Sequence, residues 1–221
     1  LNAWWVGPEL VFGIKDSRPK VIFADRERLR TLAPHRGEVP EPLLVALRTQ
    51  ETIIEGTVSY ESSVRTRAGT LPAVTIDSDA DACIFYTSGT TGHPKGAEQT
   101  HRGCVTNVMN LAFAATCMTA AGVASGKIDP KGLEDPPASI ALLTTPLFHV
   151  TANNCVAQGT TLSGGKLVHM HRWDAGSALE LVERERVTSL SGVPVMAREL
   201  MAHPDFENRD LSSLLALGGG G

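Results

Sequence analysis

Residues 82–100 read Ala82-Cys-Ile-Phe-Tyr-Thr87, then Ser88-Gly-Thr-Thr-Gly-His-Pro-Lys-Gly96, then Ala97-Glu-Gln-Thr100. The first six are apolar, aromatic or β-branched and suit a strand. The next nine mix glycine with hydroxyl residues, and Thr100 is a natural N-cap for a helix bearing Val105, Val108, Met109 and Ala112 on one side. The order is therefore strand, glycine-hydroxyl loop, helix. Gly89, Gly92 and Gly96 permit close approaches that a side chain would block, so successive N–H groups can turn inward around an anion. Thr87, Ser88, Thr90 and Thr91 add hydroxyls, and Lys95 adds a mobile positive charge. Together they suit a polyphosphate. A ligand-free surface turn can have similar composition, but three glycines, four hydroxyls and a lysine in this tight order favour the phosphate reading. A Walker loop needs glycine before its lysine and a hydroxyl after it; Pro94 and Gly96 stand there instead, which disfavours a P-loop kinase or ATPase.

Outward from this segment, short apolar runs recur at 20–24, 43–47, 140–145, 166–170, 187–193 and 214–217, each a candidate strand. Amphipathic stretches separate several of them. The clearest is 174–186, with Ala175, Ala178, Leu179 and Val182 on one face and Asp174 as N-cap. Pro194 suits the first turn of a following helix, and Pro204 ends it. This alternation predicts an α/β fold: mostly parallel sheets, apolar on both faces, with helices on each side. A polar connection at 67–81 sets an expected division into an edge segment, 1–76, and a phosphate-loop and acyl-pocket portion, 77–221, of one larger domain.

Composition narrows the function classes. The formal net charge is -4, with 24 acidic against 20 basic residues, so no field draws nucleic acid. Cys83, Cys104, Cys117 and Cys155 are spread singly with no CxxC pair; neither a disulfide framework nor a cysteine zinc site is expected, and a reducing cytoplasm fits. His169 and His171 form an HxH pair with no third ligand in view. The apolar stretch 111–124 falls short of the roughly 18 residues of a spanning helix and reads as a core helix, so no transmembrane segment is expected. Trp4, Trp5 and Trp173 read as core or interface anchors. Both ends look like cuts, since the chain opens at Leu1 and stops in four glycines.

The segment Tyr86-Thr-Ser-Gly-Thr-Thr-Gly-His-Pro-Lys-Gly96 resembles the signature loop of the adenylate-forming superfamily, which comprises acyl-CoA synthetases, luciferases and peptide-synthetase adenylation domains. Three more stretches fall in that family's order: Leu1-Asn-Ala-Trp-Trp5, Pro146-Leu-Phe-His149, and Gly192-Val-Pro194 ahead of the terminal glycines. Asn2-Ala-Trp-Trp5 and the Thr-Thr form of the loop look closest to fatty-acid-CoA ligases.

The resemblance implies a fragment of the large N-terminal domain of an acyl-CoA synthetase, with the C-terminal domain absent. It implies ATP-dependent activation of a carboxylic acid, such as a fatty acid, to an acyl-adenylate, then thioester formation with CoA; Mg2+ assists, and the fragment alone is expected to be inactive. Lys95 and His149 would be catalytic. Thr87, Ser88, Gly89, Thr90, Thr91, Gly92 and Lys95 would handle the ATP phosphates, Thr87 would hold magnesium, and Gly218, Gly219 and Gly220 would pack on the adenine. His149, Val150 and Asn153 would meet the substrate, on a helix lining the acyl tunnel where Ala152 replaces a common glycine. Taken alone, His149 reads better as a satisfied histidine at a strand end, and the flanking Pro146-Leu-Phe148 tips the balance; the glycines in isolation read equally as a flexible tail. A fatty acyl-AMP ligase serving a carrier protein, or a non-catalytic nucleotide-binding module, would present the same motifs.

Overall fold

The computed structural model describes residues 1–65, 70, 72–87, 92, 94–134 and 136–219. Two compact units divide the chain at Gln99 and Thr100. The expected division at 76/77 falls inside the first unit, in which Tyr86 hydrogen-bonds Asp16 and its ring meets Trp5.

In the first unit, α1 (Gly7–Ser17), β1 (Val21–Asp25), α2 (Arg26–Leu32), β2 (Leu43–Leu47), β3 (Val58–Ser59) and α3 (Tyr60–Arg65) precede β4 (Asp81–Thr87) and β5 (Lys95–Thr100). Strands β1, β2 and β3 form a parallel sheet in that order, with Ile22 opposite Leu44 and Ala24 opposite Ala46. That face packs on Val11 and Ile14 of α1 and Leu29 and Leu32 of α2. Alternation along the strands places Val21, Phe23 and Leu43 on the other face, where they are exposed. Strands β4 and β5 form a separate two-stranded sheet.

The second unit opens with α4 (His101–Ala124), capped by Thr100, whose hydroxyl accepts from the Gly103 N–H at 3.1 Å. There follow β6 (Ile140–Leu143), a π-helix (Thr151–Ala157), α5 (Gln158–Leu162), β7 (Lys166–His169), α6 (Ala175–Glu185), β8 (Ser189–Gly192), α7 (Pro194–Ala202) and β9 (Ala216–Gly219). The four strands are all parallel, in the order β7-β6-β8-β9. Leu142 and Leu190 point into a core with Leu179 and Val182 of α6 and Leu200 of α7. Ala141 and Leu143, on the opposite face of β6, are also buried, and β6 packs there on the π-helix. Both faces of this sheet are covered, the expected condition for parallel strands. Asp174 caps α6 as predicted, accepting from the Ser177 N–H at 2.8 Å, and Pro194 occupies the first turn of α7.

Helix α4 departs from expectation. The stretch 111–124 is only its second part; the whole helix has 24 residues and is, among the described residues, the one helix long and apolar enough by length and composition to cross a membrane. It is not a core helix of this unit either. Cys104 is its one buried residue, and Phe113 and Met118 are 71% and 75% exposed.

Candidate functional site

Thr87 ends β4 and Lys95 begins β5, so the phosphate-loop motif spans the connection between two paired strands. Both residues are exposed, and the Thr87 hydroxyl donates a long hydrogen bond, 3.5 Å, to the Lys95 carbonyl across the neck of the loop. The neck thus offers a hydroxyl, a carbonyl and an ammonium within one short span. Ser88, Gly89, Thr90 and Thr91 lie outside the described residues. Gly92 has φ +93, a conformation that side-chain-bearing residues rarely adopt, with open space around it; a glycine is needed there for its backbone freedom. Gly96 is needed for a different reason. A Cβ on it would lie 2.8 Å from Ile84 Cγ2 and 3.4 Å from the Tyr86 ring, so the β5 backbone sits directly on side chains of β4.

Behind the loop, the Tyr86 hydroxyl donates to Asp16 Oδ2 of α1 at 2.6 Å. Burial first, and then the bond to Asp16 and its charge, push the phenol up to about 12. The edge of Trp5 meets the same ring, centroids 5.3 Å apart and planes at 72°. Trp5 thus serves as an anchor, as expected, whereas Trp4 is 67% exposed. Neither Asp16 nor this tyrosine contact carries a local sequence signal, because 70 positions separate the partners.

In the second unit, the strand order creates a crevice. The chain leaves β6 toward β7 on one side and leaves β8 toward β9 on the other, so the carboxyl ends of the adjacent strands β6 and β8 form a topological switch point, where open α/β sheets bind ligands. Thr144, just past β6, donates through its hydroxyl to the Ser191 carbonyl at 2.7 Å and spans this point. Beside it, a Cβ on Gly192 would fall 2.9 Å from Thr144 Oγ1 and 2.7 Å from Met196 Sδ. Gly218 and Gly219, expected as an adenine-packing segment, are strand residues of β9 paired with Ser191 and Gly192. They therefore stand at the carboxyl edge of the sheet; Gly220 lies outside the described residues. Thr144 and Ser191 were not singled out from sequence, since single hydroxyl residues at strand ends carry no distinctive pattern.

His149 lies in the loop leaving β6 and is exposed. Its Nδ1 accepts from the Thr151 N–H at 3.2 Å, so the neutral ring carries its proton on Nε2. Val150 is 37% exposed, and Asn153 Nδ2 donates to the Leu147 carbonyl at 3.3 Å while its Oδ1 accepts from Gln158. The segment expected as a lining helix is a π-helix, a form that clusters at functional sites, and Ala152 within it is fully buried. Asn107 of α4 donates to the Asn154 carbonyl of this helix at 3.1 Å. The HxH pair does not share a strand face, because β7 ends at His169; among the described residues no three His, Cys, Asp or Glu side chains cluster as a metal site. None of the four cysteines is in a disulfide.

Comparison with known proteins gives this geometry a context. The chain is 38% identical over 142 residues to feruloyl-CoA synthase from an Amycolatopsis species, covering 64% of this chain and 25% of that protein. It is 29% identical over 216 residues to the long-chain-fatty-acid–CoA ligase FadD13 of Mycobacterium tuberculosis, covering 95% of this chain and 37% of that one. The crystal structure of the N-terminal domain of FACL13 from the same organism superposes with a TM-score of 0.71 at 25% identity, covering 100% of this chain and 50% of that one. The chain spans a quarter to just over a third of the curated relatives' length. A sequence profile of the AMP-binding enzymes matches residues 1–221, the full length, and the chain belongs to this adenylate-forming family.

Proposed function

We propose that the full-length protein activates a hydrophobic carboxylic acid with ATP and transfers the acyl group to CoA. The observation that carries this reading is the loop neck, where Thr87 and Lys95 bracket a glycine-hydroxyl connection, in a chain matched along its whole length by the AMP-binding family. A carboxylate oxygen attacks the α-phosphorus of ATP; an O–P bond forms, and the bond to the β-phosphate oxygen breaks with its electron pair leaving on pyrophosphate. The CoA thiolate then attacks the acyl carbon and releases AMP.

Both reactants of the first step are anionic, so the protein's task is positioning and charge neutralisation. Lys95, mobile and exposed, supplies positive charge to the phosphates. The Thr87 hydroxyl and the Lys95 carbonyl are oxygen donors of the hard type that Mg2+ accepts, so this neck fits the ion as a ligand set completed by phosphate and water. Bound there, Mg2+ would draw charge from the phosphate oxygens. His149, its Nδ1 already engaged, offers Nε2–H as a donor to an anionic oxygen of the acid or the α-phosphate. Val150 and Asn153 contribute to the acyl side, and the crevice at Thr144, Ser191, Gly192 and Gly218 serves the nucleoside.

The relatives named for ferulic and long-chain fatty acids support an aryl or fatty acid, with the fatty class favoured by the Asn2-Ala-Trp-Trp5 form. Cysteines without disulfides support a cytoplasmic enzyme. The 221 residues alone lack most of the relatives' length and are expected to turn over nothing measurable. The test is acid-dependent ATP–pyrophosphate exchange by the full-length protein across short, long and aromatic acids, followed by CoA addition. Exchange with thioester formation supports the reading. Exchange without a CoA thioester shows a ligase serving another acceptor, and no exchange with any acid refutes adenylation.

A further inference from the structure

The sequence singles out Asn2-Ala-Trp-Trp5 and Tyr86, and neither has a role in the chemistry above. The structure joins them through α1. Gly13 and Asp16 are three residues apart and lie on the same face of that helix. Trp5 lies on Gly13, where a Cβ would come 2.5 Å from its Cζ3, and its edge meets the Tyr86 ring at a centroid distance of 5.3 Å. Tyr86 in turn rests against Gly96 of β5 and donates its hydroxyl to Asp16 Oδ2 at 2.6 Å. One aromatic ring therefore touches the helix, the strand entering the phosphate loop and the strand leaving it. Tyr86 immediately precedes Thr87, and Gly96 immediately follows Lys95.

We propose that Tyr86 and Asp16, with Trp5 wedged on Gly13, are positioning residues that set where Thr87 and Lys95 stand relative to the ATP phosphates. The inference rests on the reading of the loop as the ATP site. A two-stranded sheet has little intrinsic rigidity, and among the described residues β4–β5 shares no strand pairing with the three-stranded sheet of its unit. Its fixed points are side chains. The hydrogen bond from a phenol to a carboxylate is charge-assisted, short and directional, and so locks the ring that the loop's two ends flank. The proton stays on Tyr86 throughout the physiological range, since its phenol is pushed up to about 12.

The experiment uses the full-length protein with Tyr86→Phe, Asp16→Ala, Asp16→Asn and the double variant Tyr86→Phe with Asp16→Ala. ATP and acid KM values are read in pyrophosphate exchange, and amide exchange is followed in 81–87 and 95–100. Tyr86→Phe keeps the ring on Trp5 and Gly96 and removes only the donor. The expected result is an ATP KM raised about tenfold in Tyr86→Phe and in Asp16→Ala, with the acid KM within about twofold of wild type, since a hydrogen bond to a charged group is lost. The double variant matches either single one, because both remove the same bond. Asp16→Asn, which keeps an acceptor oxygen, stays near wild type. Faster amide exchange in the two strands accompanies the loss.

An unchanged ATP KM in Tyr86→Phe overturns the proposal. So does a parallel rise in both KM values, which marks a merely structural contact, or an Asp16→Asn defect equal to that of Asp16→Ala. Should the wild type exchange no pyrophosphate, the functional reading fails separately; amide exchange then decides the clamp, and unaltered protection in Tyr86→Phe rejects it.

Discussion

Replacing Gly96 by alanine tests the packing that holds β5 on β4. The added methyl would lie 2.8 Å from Ile84 Cγ2 and 3.4 Å from two atoms of the Tyr86 ring. Carbon atoms settle at about 3.5–4.0 Å, so the Ile84 contact is too short by roughly 0.7–1.2 Å. Ile84 cannot yield by swinging a long side chain, because Cγ2 sits on Cβ and moves only through χ1, which is stiff in a β-branched residue. Overpacking of this kind costs about 1–3 kcal/mol. A gain of roughly 0.5 kcal/mol from replacing glycine in a strand offsets only part of it. That net cost, about 0.5–2.5 kcal/mol, is small against a typical global stability, so the protein folds while the native β4–β5 pairing is weakened by about 2- to 70-fold. Hydrogen–deuterium exchange of 81–87 and 95–100 reads this directly, as faster exchange confined to these strands. The double variant Gly96→Ala with Ile84→Ala removes the opposing methyl and restores protection. Unchanged exchange in Gly96→Ala, or no recovery in the double variant, would refute the reasoning.

Three further outcomes are expected. Leu142→Ala, at a position with 0% exposure between α6 and the parallel strands, destabilises the second unit by about 2–5 kcal/mol. Met201→Ala, 55% exposed on α7, stays within about 0.5 kcal/mol; urea unfolding followed by fluorescence of Trp173, which packs on the same core, separates the two. Hydrogen bonds from Ser212, and then Arg186, hold the Asp210 carboxyl down from 3.8 to about 2. A lowered folded-state value stabilises above the unfolded value and is lost as pH falls through the folded one. Asp210→Asn therefore lowers the melting temperature at about pH 6, and its difference from wild type shrinks as pH drops toward about 2. A difference independent of pH would contradict the assignment.

Every strand expected from an apolar run is present, because runs such as 43–47 and 140–143 are mostly buried and carry their own signal. Strand β5 was not legible. Lys95-Gly-Ala-Glu-Gln-Thr100 is polar and largely exposed, and it pairs only because Gly96 lets it settle on Ile84 and Tyr86. The two residues of β3 are too short to register as a run. Caps were legible for the opposite reason: Asp174 and Thr100 bond to amides three positions away, a purely local event. The contact of Tyr86 with Asp16 was not, since 70 residues separate the partners. Likewise the terminal glycines read equally as a flexible tail, yet Gly218 and Gly219 are held in a strand by pairing with Ser191 and Gly192, a tertiary override of weak strand propensity. For the site, the loop motif and His149 were visible as residue types, whereas the Thr144–Ser191 contact at the switch point needed the strand order to appear.

The proposed adenylation depends on Lys95 delivering charge to the ATP phosphates. Acid-dependent ATP–pyrophosphate exchange by the full-length protein, compared with its Lys95→Ala variant, measures this most directly. The rate is predicted to fall by about tenfold or more, as loss of an electrostatic donor does, with the melting temperature unchanged because Lys95 is exposed. An exchange rate equal to that of the wild type would contradict it.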